Sequence, residues 1–370
     1  MKKVEDKGTR LKVGIVGGGH IVNHRHVPVF KKLDNVEIYG ICDKQKDVAQ
    51  KTADQYGIKR VFTDLGDMLK GELDLVDIAT PPRTHVSLAT QVMEAGCNVM
   101  SEKPLAMTPE EVDDLYRVSS RKGVKLCAVH QNLYNPAFAK ARHMVEQGLV
   151  GDLICVEVAT YVLNNNYMLL NGNHWCHKLP GGIFFEVLPH PVYLLQALLK
   201  NPQVISVLPR KVGAYPWVRA DEARALLDSD NGMGMVVGSH NSPYHGDSIN
   251  IFGTKMALEV DLWGRSIIKH KPHTQEPLSV GMANLGLVAQ LASILGATVS
   301  NSLTMATGGI KVSSHYGFIR QLVKSIQNDT EPPVSQLEAR DNIRITGDIC
   351  NKIDACLDER GVAVSAPAKE

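Results

Sequence analysis

Between residues 11 and 129, short apolar runs alternate with longer segments of helical period, the pattern of βαβ units that build a parallel sheet. The runs predict strands over 11–16, 36–42, 75–79, 98–101 and 124–129. Helices are expected over 21–33, 45–56, 84–95 and 108–122, with Thr108 as N-cap and Pro109 as the first helical residue. One doubly wound α/β domain follows, over residues 1–130. At 370 residues the chain exceeds what one core usually fills, so a second domain, 131–370, is expected.

The texture changes after Asn135-Pro136. A helix over 137–147 and a Gly-Leu-Val-Gly turn lead into alternating strands such as 153–162 and 232–240, with a helix over 183–199 between them. The runs 248–252 and 257–262 flank Gly253-Thr254 as hairpin neighbours. Helices over 313–327 and 336–357 close the chain, and these C-terminal helices are candidates to pack back on the first domain. This half reads as α+β with a largely antiparallel open sheet.

Forty Lys and Arg stand against 39 Asp and Glu, with no long run of one sign, so neither nucleic acid nor an anionic membrane is an expected partner. The seven cysteines are scattered and contain no CxxC, which argues for free thiols in a reducing compartment. The charged start MKKVEDKGTRLK lacks the apolar stretch of a signal peptide, so a cytoplasmic location is expected. The apolar stretch 280–303 approaches membrane-spanning length, but Asn284, Gln290 and Asn301 interrupt it. It reads as a core or interface helix, with membrane contact as the alternative. The surrounding insertion, 262–312, is expected to cover the pocket or build an interface.

In Val13-Gly14-Ile15-Val16-Gly17-Gly18-Gly19-His20-Ile21-Val22, a strand turns tightly into a helix. Gly17 permits the turn, and Gly19 lets backbone N–H groups approach a pyrophosphate at the helix start, with His20 and Ile21 beside it. The third position of the G-x-G-x-x-G pattern is Val22, so this Rossmann fingerprint is incomplete. The next strand ends at Asp43, where an acid accepts hydrogen bonds from the adenosine ribose hydroxyls. Asp43 therefore predicts NAD, and Lys44 leaves some tolerance for NADP. The competing reading is that Asp43 only caps the following helix.

Ala79-Thr80-Pro81-Pro82-Arg83-Thr84-His85, then Ser101-Glu102-Lys103-Pro104-Leu105, complete a pattern with the glycine turn. Together they resemble the glucose-fructose oxidoreductase / inositol dehydrogenase (Gfo/Idh/MocA) family over essentially the whole chain. The resemblance implies that Lys103 ends a strand beside the nicotinamide and the reacting hydroxyl. It places Thr80, Pro81, Pro82, His85, Glu102 and Gln131 along the cofactor. A lysine suits that position, because partial desolvation and a cationic nicotinamide both help an ammonium exchange its proton near neutral pH. Glu102 is expected to orient Lys103 or to touch the cofactor.

Gly181-Gly182-Ile183-Phe184-Phe185-Glu186-Val187-Leu188-Pro189-His190 is similar to the family's Gly-Gly, acid, histidine arrangement. On a helix the i, i+4 spacing puts Glu186 and His190 on one face. Resemblance assigns His190 to the reacting hydroxyl and Glu186 to a neighbouring one. Three departures stand out. Glu replaces the usual Asp, Tyr193 stands where a second Asp is common, and Pro189 and Pro191 flank His190 and threaten the helix.

Asn132 and Tyr134 are candidates to line a substrate pocket. Asn173-His174-Trp175-Cys176-His177 lacks a second cluster to complete four ligands, so no metal is expected and His174 and Trp175 are assigned to a sugar face. The resemblance implies a dehydrogenase acting on a sugar, nucleotide-sugar or cyclic polyol, as a homodimer or homotetramer. Two rivals stay open: a protein that holds NAD tightly for glycoside cleavage, elimination or sugar-sugar oxidoreduction, and a non-catalytic NAD-binding regulator.

Overall fold

The computed structural model describes residues 10–307, 309–310 and 313–362, and the chain divides into two units. The first runs to Gln131 and takes in Ile310–Arg340. Its strands are β1 (Leu11–Val16), β2 (Val36–Cys42), β3 (Val61–Phe62), β4 (Leu75–Ile78), β5 (Asn98–Ser101) and β6 (Leu126–Ala128). All pair in parallel in the order β3-β2-β1-β4-β5-β6, the doubly wound dinucleotide-binding order. Every residue of β4 is buried, as expected of a central strand covered on both faces.

The helices between them follow local chemistry. Thr108 accepts a hydrogen bond from the Glu111 N–H, Pro109 opens Pro109–Lys122, and Gly123 closes it at φ 64°. The expected helix over 21–33 is shorter. It contains a π-helical turn, Val22–His26, then Val27–Phe30, and this wider turn carries the fully buried His26. Strand β3 and the short helix Leu65–Leu69 lie where periodicity is too brief to read. The helix Ser314–Gln327 buries Phe318, Ile319, Leu322 and Val323 in this unit.

The second unit, Asn132–Gly309 with residues from Asp341 on, is built on seven strands. These are β7 (Leu153–Leu163), β8 (Gln203–Arg210), β9 (Glu222–Ser229), β10 (Gly232–Ser242), β11 (Gly246–Gly253), β12 (Ala257–Asp261) and β13 (Ser266–His270). Their order is β13-β12-β11-β7-β10-β9-β8, with β7 and β10 parallel and every other pair antiparallel. One face buries Val156, Val158, Ile249, Ile251, Leu258 and Val260, whereas Leu208, Leu226, Met233 and Phe252 stay exposed. The expected 183–199 helix is two pieces, Ile183–Val187 and Pro189–Gln196, because Pro189 has no N–H to continue the ladder and instead opens the second piece.

Of the two readings of the apolar stretch, core helix or interface helix, the structure removes the first. The stretch forms one helix, Pro277–Ala306, but none of its membrane-length window is buried, so it is not a core helix of this chain. It lies along β13, where the Gln290 side chain bonds both backbone groups of Lys269 (2.8 and 3.0 Å) and Asn301 donates to the Gly264 carbonyl. The helix thereby caps the outer edge of the sheet.

Candidate functional site

In the first unit, four strands carry the candidate residues to the carboxyl edge of the sheet. After β1, Gly17 adopts φ 100°, and a Cβ there would sit 2.4 Å from the Ala79 carbonyl oxygen, so only glycine fits. After β2, the Asp43 carboxylate accepts from the Gly18 N–H and the Gln45 N–H, each at 2.9 Å. Asp43 thus shapes the glycine turn and the bend before the next helix, whose N-cap is Gln45, and its remaining lone pairs suit ribose hydroxyls. A Cβ on Gly19 would meet nothing within 4 Å, leaving the room a pyrophosphate needs at this helix start. His20 is exposed and stacks on His24 at 4.0 Å, and Ile21 is half-buried. Burial, then the neighbouring His24 and Arg25, lower the His20 pKa. Val22, at the motif's third position, is fully buried.

After β4 comes the Thr80-Pro81-Pro82 loop, in which the Thr80 and Thr84 hydroxyls bond at 2.7 Å. Pro81 is exposed and Pro82 is buried. His85 corrects an expectation. It is fully buried, with one ring nitrogen 2.8 Å from the Pro104 carbonyl oxygen and the other 2.7 Å from that of Thr80. It therefore ties the two loops together and has no free edge for a cofactor. Burial lowers its pKa.

After β5, Glu102 accepts the backbone N–H of Lys103 at 3.1 Å, and the Lys103–Pro104 peptide is cis. Behind it lies a buried network that sequence reasoning missed. His26 bonds Asp77 at 2.8 Å and Glu102 at 3.1 Å. Burial alone would depress its basicity, but the two carboxylates overcome this and raise its pKa to about 10. Burial pushes Glu102 up, yet His26 and then Lys103 hold it down at about 2. His26 is therefore an imidazolium between two buried acids. His315 and His130 lie nearby and stay neutral, each lowered to about 3 by burial. His26, Glu102 and His315 present ligand atoms within 4.8 Å of one another, but both His26 nitrogens are already spent on carboxylates. The signal was Asp77 itself, an acid inside the wholly buried strand LVDI that must find a partner. Gln131, expected along the cofactor, is buried beyond β6.

In the second unit, His190 Nδ1 lies 2.9 Å from the Tyr193 hydroxyl, which also accepts the Asn132 N–H at 3.2 Å. Tyr193, which replaces the family's second acid, thus fixes the imidazole and joins Asn132 to it. Glu186 and Tyr134 are both half-buried. Asn135 caps the helix Pro136–Glu146 and donates to the Leu262 carbonyl at 2.8 Å. His174 accepts the Cys176 N–H and packs on Trp175 at 5.0 Å, while His177 bonds the Met168 carbonyl oxygen. A cavity of about 350 Å³, lined among others by His177, Trp217, Arg219 and Asp354, adjoins the Gly181-Gly182 turn, but neither His190 nor Glu186 lines it.

A sheet in this strand order, with a glycine turn bonded to the acid that ends its second strand, defines a dinucleotide-binding protein. Residues 11–131 match the oxidoreductase family with an NAD-binding Rossmann fold, and residues 138–259 match the GFO/IDH/MocA C-terminal domain. The chain belongs to the Gfo/Idh/MocA family, whose cofactor is NAD.

D-glucoside 3-dehydrogenase of Escherichia coli (strain K12) is 30% identical over 144 residues, 39% of this chain and 41% of that protein. Oxidoreductase P35 of Formosa agariphila is 24% identical over 192 residues, 50% of this chain and 60% of that protein. The matches thus span less than two thirds of these relatives. The WlbA dehydrogenase from Bordetella pertussis, solved with NADH and UDP-GlcNAcA, aligns with a TM-score of 0.76 at 23% identity, over 98% of this chain and 99% of that one. GenD2 from gentamicin A biosynthesis, solved with NAD, gives 0.75 at 20% identity, over 96% and 97%. Both likenesses establish the fold.

Proposed function

We propose that this chain is a reversible dehydrogenase that uses NAD and acts on a hydroxyl-bearing carbon of a sugar, nucleotide-sugar or cyclic polyol. The observation that carries the reading is the placement of Lys103. It follows β5 at the carboxyl edge of the sheet that also carries the glycine turn of β1 and the Thr80 loop of β4, on a backbone braced by Glu102 and His85. NAD, when held at the glycine turn, would supply the hydride acceptor. Lys103 is assigned to take up the hydroxyl proton, and His190, whose Nδ1 lies 2.9 Å from the Tyr193 hydroxyl, to hydrogen-bond a substrate hydroxyl. Glu186 is assigned to a neighbouring hydroxyl, and Asn132, Tyr134, His174 and Trp175 to the rest of the substrate. The printed names of relatives, a glucoside dehydrogenase and a dehydrogenase with a bound nucleotide-sugar, support this substrate class. Seven free thiols fit a cytoplasmic site of action.

The test is a screen of free sugars, cyclic polyols and nucleotide-sugars for NADH formation by the purified chain. The reading expects turnover with at least one of them, and a loss of about 10²–10⁴-fold in kcat for Lys103→Met with NAD still bound. NAD binding with no turnover across the panel would favour a regulator. NADH that stays on the protein without exchanging would favour the tightly held cofactor of the rival enzyme class.

A further inference from the structure

The helix Pro277–Ala306 carries an arrangement that the dehydrogenase reading does not use. From residue 277 to residue 310 the sequence contains no Asp, Glu, Lys or Arg, although a helix standing off a protein surface normally keeps charge on its solvent side. Its two long faces differ. Val280, Ala283, Leu287, Gln290, Ile294 and Asn301 are half-buried on the side turned to β13, where Gln290 and Asn301 pin the helix to the strand.

On the opposite side a heptad spacing holds Leu278, Leu285, Ala292 and Val299 in one row and Val288 and Leu295 in the adjoining one. Met282, Leu291 and Leu303 widen the stripe. Its eight large side chains are 53–80% exposed. At roughly 100 Å² for a long apolar side chain, they offer on the order of 800 Å², about what each partner buries in a specific dimer. Isolated exposed leucines need no explanation, but a continuous stripe this long does.

We propose that this stripe is an interface between two copies of the chain, each presenting the same helix across a two-fold axis. An apolar seam without flanking charges matches an identical seam, and the small residues Gly281, Ala292 and Gly296 on it allow close approach. A bilayer fits less well. Spanning would tear Gln290 and Asn301 from the edge of β13 and leave that edge open, and lying on the membrane surface calls for lysines and arginines beside the apolar face, which this helix lacks. The contact is distinct from the exposed face of the seven-stranded sheet, and the proposal holds whether or not the chain is a dehydrogenase.

Sedimentation equilibrium of the full-length chain at micromolar concentration tests it without substrate or cofactor. The wild type is expected as an even-numbered assembly, and Leu285→Glu with Leu295→Glu should halve its mass while the circular dichroism is kept. The milder Leu285→Ala with Leu295→Ala, which leaves folding unthreatened at these exposed sites, should weaken association about tenfold or more. Three results would overturn the proposal: a monomeric wild type, an assembly unchanged by both helix variants yet split by Leu226→Glu with Met233→Glu on the sheet face, or flotation with liposomes that the helix variants abolish while the mass stays the same.

Discussion

His26 Nδ1 lies 2.8 Å from Asp77 Oδ2, and neither side chain reaches solvent. The other ring nitrogen holds Glu102, so one buried cation serves two acids beneath the Lys103 loop. Replacing it strands both carboxylates. His26→Leu should therefore cost about 3–5 kcal/mol in urea unfolding at neutral pH, and a loss below about 1 kcal/mol would mean that the ring carries no charge.

The buried ionisable groups set opposite limits on stability with pH. His26, at about 10 when folded and 6.5 when unfolded, contributes fully below pH 6.5 and loses its contribution as pH rises through 10. Glu102, at about 2 against 4.5, contributes fully above pH 4.5 and loses it as pH falls through 2. His130 and His315 near 3 and His240 near 4 refuse protons that the unfolded chain accepts below pH 6.5. Each costs about 1.4 kcal/mol per pH unit from there down to its folded value. Asp77, whose pKa burial raises, works against the folded state as pH climbs above its unfolded value, so it opposes the gain from Glu102 on the same limb. His240→Leu should flatten the acid limb by one proton between pH 6 and pH 5, measured by urea unfolding, and an unchanged slope would show that His240 titrates normally.

The Tyr193 hydroxyl holds His190 and the Asn132 backbone together. Tyr193→Phe frees the imidazole to rotate and to change tautomer. A drop of about tenfold in kcat with KM little changed is expected in steady-state assays, corresponding to one orienting hydrogen bond of roughly 1.4 kcal/mol. Unchanged kcat would remove Tyr193 from the account.

Asp43 accepts the Gly18 N–H of the glycine turn and the Gln45 N–H, and its proposed role is to face the adenosine ribose. Asp43→Ser removes the charge facing a ribose 2′-phosphate while Lys44 stays. The ratio of NAD to NADP affinity, measured by titration calorimetry, should fall about tenfold or more. A ratio that does not move would leave Asp43 with only its bonds to the Gly18 and Gln45 N–H groups.

The first sheet was legible because its strands are short, apolar and separated by capped helices, as with Thr108, Pro109 and Gly123 around one of them. The positions of the glycine turn, Asp43 and Lys103 just beyond β1, β2 and β5 were legible because strand ends fix where loops go. His26 was not, since a π-helical turn shifts the face of its helix and no periodicity announces such a shift. His85 was misassigned because spacing does not distinguish a loop residue facing a ligand from one bonded inward to two carbonyls. Strands β8 and β9 were missed because Pro209 and the charges of Glu222, Arg224 and Asp228 blur the alternation. The helix beside β13 read as core or interface without a choice between them, because apolar composition does not say what covers it.

In the proposed reaction Lys103 exchanges the substrate proton. Single-turnover NADH formation with a substrate found by the screen, followed across pH in the wild type and in Lys103→Met, tests it most directly. The wild-type rate is expected to depend on one basic group, and the variant to be slowed about 10²–10⁴-fold with that dependence lost and NAD affinity unchanged. A variant that forms NADH at the wild-type rate with the same pH profile would contradict it.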